Sequence, residues 1–184
     1  MKKTNEELLG EGKWLSLKRS TYLDDQGQSF SWEHIARKGS KHAVIILPIL
    51  EPSQDVLLIR QFRAGANGYV LGIPAGMVEP GATDVGEEAL RELLEETGYT
   101  GKVVEVGPLL CSFPALSDAT VQLVRVTIDE SLPENQNPTQ RLEPGEIIET
   151  LRVPQVQMRQ FLVDEAAAGT PVISGLWYLF ACRV

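Results

Sequence analysis

Four glutamates and an arginine stand within nine residues of one another: Glu88, Arg91, Glu92, Glu95 and Glu96. If residues 84–97 are helical, each side chain advances by about 100°, which gathers the four acids onto one arc of about 100°. Ala89, Leu90, Leu93, Leu94 and Thr97 then form the opposite, core-facing stripe. Like charges at i,i+3 and i,i+4 repel by about 0.2–0.5 kcal/mol per pair, so a merely solvated face would carry interspersed lysines. Clustered acids become favourable around a hard divalent cation, which takes oxygen ligands and bridges to phosphates. Arg91 borders the arc and lies i,i+4 to Glu95, the spacing of an ion pair.

The charge balance points the same way. The chain has 184 residues, is 43% hydrophobic and 23% charged, and carries a net charge of −8. Such a surface argues against a nucleic-acid polymer as partner, because phosphate backbones are held mainly by basic groups. A small diphosphate substrate would have to be neutralised by cations that the carboxylates hold. The length fits one domain with a real core. No apolar run is long enough for a bilayer, and Met1–Glu7 has no apolar leader, so a membrane is not an expected partner. Cys111 and Cys182 are too few for a disulfide framework or a zinc site, which fits a reducing cytoplasm.

Several elements must hold this helix. Asp84 is a helix N-cap with Glu87 three residues on, and Gly98 falls at the C′ position. Strands are expected over 14–19 and 29–35, joined by the Asp24–Gln28 turn as a hairpin, then over 43–50, 55–62 and 68–73. Further strands are expected over 101–106, 121–128 and 146–153. Residues 131–144 read as a polar loop, 155–168 as a second amphipathic helix, and 174–181 as too short to assign. Together these give an α/β (α+β) layered domain.

The segment from Gly76 to Tyr99 resembles a Nudix box, G-x5-E-x7-R-E-U-x-E-E-x-G-U with U apolar. Arg91-Glu92-Leu93-Leu94-Glu95-Glu96-Thr97-Gly98-Tyr99 matches every specified position of its second half. The first half departs: the expected Glu falls on Ala82 or Thr83, in a loop one residue longer than the pattern. Ile59-Arg60-Gln61-Phe62-Arg63, Gly72-Ile73-Pro74-Ala75-Gly76, Ser112-Phe113-Pro114 and Glu146-Ile147-Ile148-Glu149 are similar to runs of the ADP-ribose and nucleoside diphosphate sugar pyrophosphatase branch, with Gly72 in place of its usual Glu.

This resemblance implies a Nudix-type α/β/α sandwich with a mixed sheet over residues 41–184. Residues 1–40 would be an N-terminal antiparallel β segment for dimerisation and nucleotide binding, in a homodimer. The implied activity is Mg²⁺-dependent hydrolysis of the diphosphate bridge of a nucleoside diphosphate sugar such as ADP-ribose or GDP-mannose. More than one Mg²⁺ is implied, with Mn²⁺ a substitute. The alternatives are another nucleotide substrate (a dinucleoside polyphosphate, coenzyme A or a nucleoside triphosphate) and a non-catalytic nucleotide-sensing domain.

By resemblance, the Ala75 carbonyl, Glu92 and Glu96 ligate the metal, Glu95 is a further ligand or catalytic group, and Arg91 orients Glu95. Gly76 and Gly98 are structural. The general base belongs to the loop before the late strand, where Glu143, Glu146 and Gln140, an isostere of Glu, compete. Arg60 and Arg63 lie on opposite faces of their strand, and either is a candidate phosphate or sugar clamp. Trp32 is a candidate for stacking on a nucleobase, although a core position is the commoner fate of tryptophan. Phe113 and Pro114 are candidates for the sugar pocket.

Overall fold

A computed structural model describes residues 1–182. The chain divides into two compact units. One comprises residues 1–43, 77–83 and 108–122, and the other is the rest of the described chain. In chain order the strands are β1 (Lys2–Glu11), β2 (Leu15–Leu23), β3 (Ser29–Arg37), β4 (His42–Glu51), β5 (Asp55–Arg63), β6 (Gly68–Gly72), β7 (Ala75–Met77), β8 (Lys102–Val106), β9 (Leu110–Cys111), β10 (Thr120–Asp129) and β11 (Ile148–Pro154). The helices are α1 (Val85–Thr97), α2 (Pro133–Gln136), α3 (Met158–Ala167) and α4 (Ser174–Phe180).

In the first unit β1, β2 and β3 form an antiparallel sheet in that order. The β2–β3 turn is set by Asp24, whose carboxylate accepts from the Gln26 and Gln28 amides, with Gly27 at φ 79° where a side chain would be strained. Both strands run longer than their apolar patterns suggest. β1 carries no sequence signature of a strand, since almost none of its side chains is buried and no alternation marks it.

The second sheet has the order β11-β5-β4-β10-β8, with β6 pairing β5, β7 pairing β4 and β9 pairing β10. β11, β5 and β4 are antiparallel neighbours. β10 runs parallel to β4, because Thr120 N bonds Lys41 O at one end and Glu130 N bonds Glu51 O at the other. The sheet is therefore mixed, as expected.

In the second unit, one face of β5 meets α3 and α4. Val56 and Leu58 pack with Val153, Met158, Leu162 and Leu176, on the side of α3 and α4. Arg60 extends this face to Glu165 of α3. The alternate residues, Leu57 to Arg63, face the other way. Complete burial of a leucine such as Leu162 or Leu176 contributes about 1.5–3 kcal/mol. The expected 131–144 loop contains the single turn α2, whose buried Asn135 bonds Thr100 and Asp129 O. β11 starts two residues later than expected, and residues 174–180 form the short α4.

Candidate active site

Helix α1 is built from its ends inward. Asp84 is extended and its carboxylate accepts from the Gly86 and Glu87 amides, while Gly98 closes the helix in the left-handed region at φ 78°. Such an N-cap contributes about 1 kcal/mol. Ala89, Leu93 and Thr97 are buried as the core stripe requires, and Glu96, beside that stripe, is buried with them at 2% exposure. One of the acids therefore lies inside the protein, not on a solvated face.

Its partner is the turn before the helix. The Ala75 amide donates to Glu96 Oε2 at 2.9 Å. Glu92 lies against the next residue so closely that a Cβ added to Gly76 would stand 1.8 Å from the Glu92 carboxyl carbon. A side chain at residue 76 would push the Glu92 carboxylate out of this position. Ala75, Gly76, Glu92 and Glu96 are thus brought together, and the Glu96 carboxyl group is bonded to the Ala75 peptide.

Burial pushes the Glu96 carboxyl up to about 8, opposed by the Ala75 N–H and the Arg63 charge and reinforced by the charges of Glu92 and Glu146. Burial also raises Glu92, against the pull of Arg91, with Glu95 and Glu146 adding to the rise. Arg91 forms three ion pairs, to Glu95 at 2.7 Å, Glu92 at 2.8 Å and Glu88 at 3.1 Å. It stays charged despite its partial burial because three carboxylates surround it.

Glu146 is the loop acid whose charge reaches both Glu92 and Glu96. It sits in a tight turn in which Glu146 N bonds Glu143 O and Glu143 N bonds Glu146 Oε2, each at 3.0 Å, around Gly145 at φ 94°. Gln140 is engaged elsewhere: its Nε2 donates to Glu96 O at 2.6 Å, Ile148 O at 3.1 Å and Thr150 Oγ1 at 3.4 Å. A group held as a donor is poorly placed to accept a proton from water.

The two arginines differ as their faces require. Arg60 is paired with Glu149 at 2.7 Å and Glu165 at 2.8 Å. Arg63 is the one whose charge bears on Glu96. Gln61 lies on the Arg63 face, 6% exposed, with Oε1 buried and unpartnered; strand alternation with Arg63 was the available signal.

Trp32 is not a core residue. It is 55% exposed and meets Phe30 and Tyr22 edge to face, with centroids 5.0 and 6.3 Å apart. It lines a cavity of about 690 Å³ in the first unit, with Tyr22, His34, Lys18, Lys41 and Pro114. Trp32 and His34 share this wall because they are two apart on one strand, a relation by which His34 could have been singled out beforehand. His34 Nε2 meets Ser20 Oγ at 3.0 Å. Phe113 is exposed and does not line the cavity.

The donor set fits a hard divalent cation: the buried Glu96, the half-buried Glu92, a third carboxylate whose charge reaches them, and the peptide carbonyl of Ala75. Among the described residues no three acidic, histidine or cysteine side chains already stand at metal-ligand spacing. One Glu92 oxygen is turned to Arg91. The mutual repulsion that helps raise Glu92 and Glu96 is what a cation would relieve.

A NUDIX domain model matches residues 39–171, and the chain belongs to the NUDIX-domain family. The chain is 40% identical over 159 residues to the ADP-sugar pyrophosphatase of Mus musculus, covering 83% of this chain and 72% of that protein. It is 37% identical over 149 residues to the ADP-ribose pyrophosphatase of Saccharomyces cerevisiae, covering 77% of this chain and 64% of the yeast protein. A crystal structure of an ADP compounds hydrolase superposes with a TM-score of 0.72 at 24% identity, covering 89% of this chain and 84% of that one. The α/β fold with its mixed sheet is thereby matched in a solved structure. Nudix hydrolases work with divalent metal ions, to which the glutamates of α1 are chemically suited.

Proposed function

We propose that this Nudix pyrophosphohydrolase cleaves the diphosphate bridge of ADP-sugars, with ADP-ribose giving AMP and ribose phosphate by addition of one water. The observation that carries this reading is the buried Glu96 carboxylate bonded to the Ala75 N–H, with Glu92 packed against Gly76 beside it. The ADP-sugar and ADP-ribose pyrophosphatases among the relatives supply the substrate class. GDP-mannose is the second substrate to be compared.

Mg²⁺ is the proposed ion, with Mn²⁺ as substitute, held by Glu92, Glu96 and the Ala75 carbonyl, with Glu95 as a further ligand. When bound it would neutralise the diphosphate and acidify a bound water. The chain's own residues do the rest. Glu146 is the proposed proton acceptor, favoured over Glu143 because its charge reaches Glu92 and Glu96. Arg91 aims Glu92 and Glu95. Arg63, free of the ion pairs that occupy Arg60, is the proposed phosphate contact.

The Trp32 cavity is the proposed nucleobase site of the N-terminal segment, where an exposed aromatic ring offers a stacking face. That segment is also the proposed dimerisation element. Unpaired Cys111 and Cys182 suit the reducing cytoplasm proposed as its compartment. No helix among the described residues is long and apolar enough to cross a membrane.

The test is product analysis on purified protein. ADP-ribose, GDP-mannose, a dinucleoside polyphosphate, coenzyme A and ATP are offered with Mg²⁺ or with EDTA. AMP and ribose phosphate from ADP-ribose, only with metal, is the expected result. No turnover of any ADP-sugar would overturn the substrate, and turnover in EDTA would overturn the metal's role.

A further inference from the structure

The last carbonyls of a helix have no partner within it, and at α1 a distant loop supplies one for two of them. Arg141 N donates to Glu95 O at 2.8 Å, and Gln140 Nε2 donates to Glu96 O at 2.6 Å. The same amide nitrogen reaches Ile148 O and Thr150 Oγ1 on β11. The segment lies directly on the helix end, since a Cβ on Gly98 would stand 2.3 Å from Thr139 N. Three residues after Arg141 the chain enters the turn that carries Glu146.

We propose that Gln140 is a positioning residue, a clamp that fixes the Glu146 turn against the Glu92–Glu96 end of α1. It touches no reacting atom in this scheme, which rests on the hydrolase reading above. Its chemistry is that of a donor. One nitrogen faces two carbonyl oxygens and the Thr150 hydroxyl, so a carboxylate at this position would be repelled by both carbonyls and could accept only from Thr150, whereas a lysine ammonium, with three N–H groups, could serve them all.

The variants that test this are Gln140→Met, which keeps length but donates nothing, and Gln140→Lys, which restores donors. For Met, kcat on ADP-ribose should fall by about tenfold to a hundredfold with KM within about threefold, the mark of lost alignment. Its Mn²⁺ dissociation constant, followed by electron paramagnetic resonance without substrate, should rise about tenfold. Lys should return both quantities to within about threefold of the unaltered protein. A folded Met variant with unchanged kcat and Mn²⁺ affinity overturns the clamp, and so does a Lys variant no better than Met.

Should Met fail to fold, amide hydrogen exchange of the unaltered protein decides. Mn²⁺ should slow exchange in residues 138–148 together with the end of α1, and protection confined to the helix would refute the coupling. The Mn²⁺ and exchange measurements need no turnover, so failure of the ADP-sugar reading leaves them able to judge the clamp.

Discussion

Replacing Glu96 by glutamine removes an ionisation without removing a hydrogen bond, because the amide oxygen can still accept from the Ala75 N–H. Raising a carboxyl from the ordinary 4.5 to about 8 corresponds to a ceiling of roughly 5 kcal/mol, at about 1.4 kcal/mol for each tenfold change. The folded state then holds a proton that the unfolded chain has already released. Stability of the metal-free protein therefore falls as pH rises from about 4.5 to about 8 and levels off above. Water entry and relaxation lower the ceiling. Half of it would move the melting midpoint by about 5–10 °C in a protein of this size. Thermal melts in EDTA from pH 5 to 9 should show the unaltered protein losing ground to Glu96→Gln, which ends the more stable at pH 8. Added Mg²⁺ should reverse the order while the variant stays inactive. Parallel pH curves for the two proteins in EDTA would refute the argument, since the cost of burying that charge would then be absent.

Other substitutions probe single contacts. Gly76→Ala places a methyl group in the space of the Glu92 carboxylate, and kcat should drop about a hundredfold or more, with circular dichroism unchanged. Trp32→Ala removes an exposed stacking face; KM for ADP-ribose should rise about tenfold, equivalent to roughly 1.4 kcal/mol, with an unaltered melting midpoint. Arg63→Met should lower kcat/KM by about tenfold or more, while Arg60→Met, which breaks ion pairs to Glu149 and Glu165, should cost about 0–1 kcal/mol of stability in urea melts and leave kinetics unchanged.

Local features were readable and convergent ones were not. Helix α1 could be placed to within a residue because its signals lie inside its own sequence: Asp84 at one end, Gly98 at the other and a 3.6-residue stripe between. β4 and β5 were readable as strands from their apolar runs, while the mixed sheet was implied by the Nudix resemblance. Strand β1 escaped because a strand with neither face buried has no period to read. That Glu96 is sealed and Glu95 is not depends on the Ala75 turn packing from 21 residues away. Gln140 and Glu146 share a loop and a polar character, and only their distant partners separate a donor serving three oxygens from an acid coupled to two others. Trp32 was open to either reading because a tryptophan's exposure is decided by what does or does not cover its strand.

The same exposed β1 bears on how the protein survives at high concentration. It pairs β2 along one edge, and its sequence, with Lys2, Lys3, Glu6, Glu7 and Glu11, is one that foreign strands join poorly. Beneath it β2 carries the exposed Leu15, Leu17 and Leu23. Removing residues 1–11 would bare an edge that carries these leucines and leave Lys18 without Glu6 and Arg19 without Glu7, and a shortened chain of this kind should precipitate at a lower concentration than the full chain.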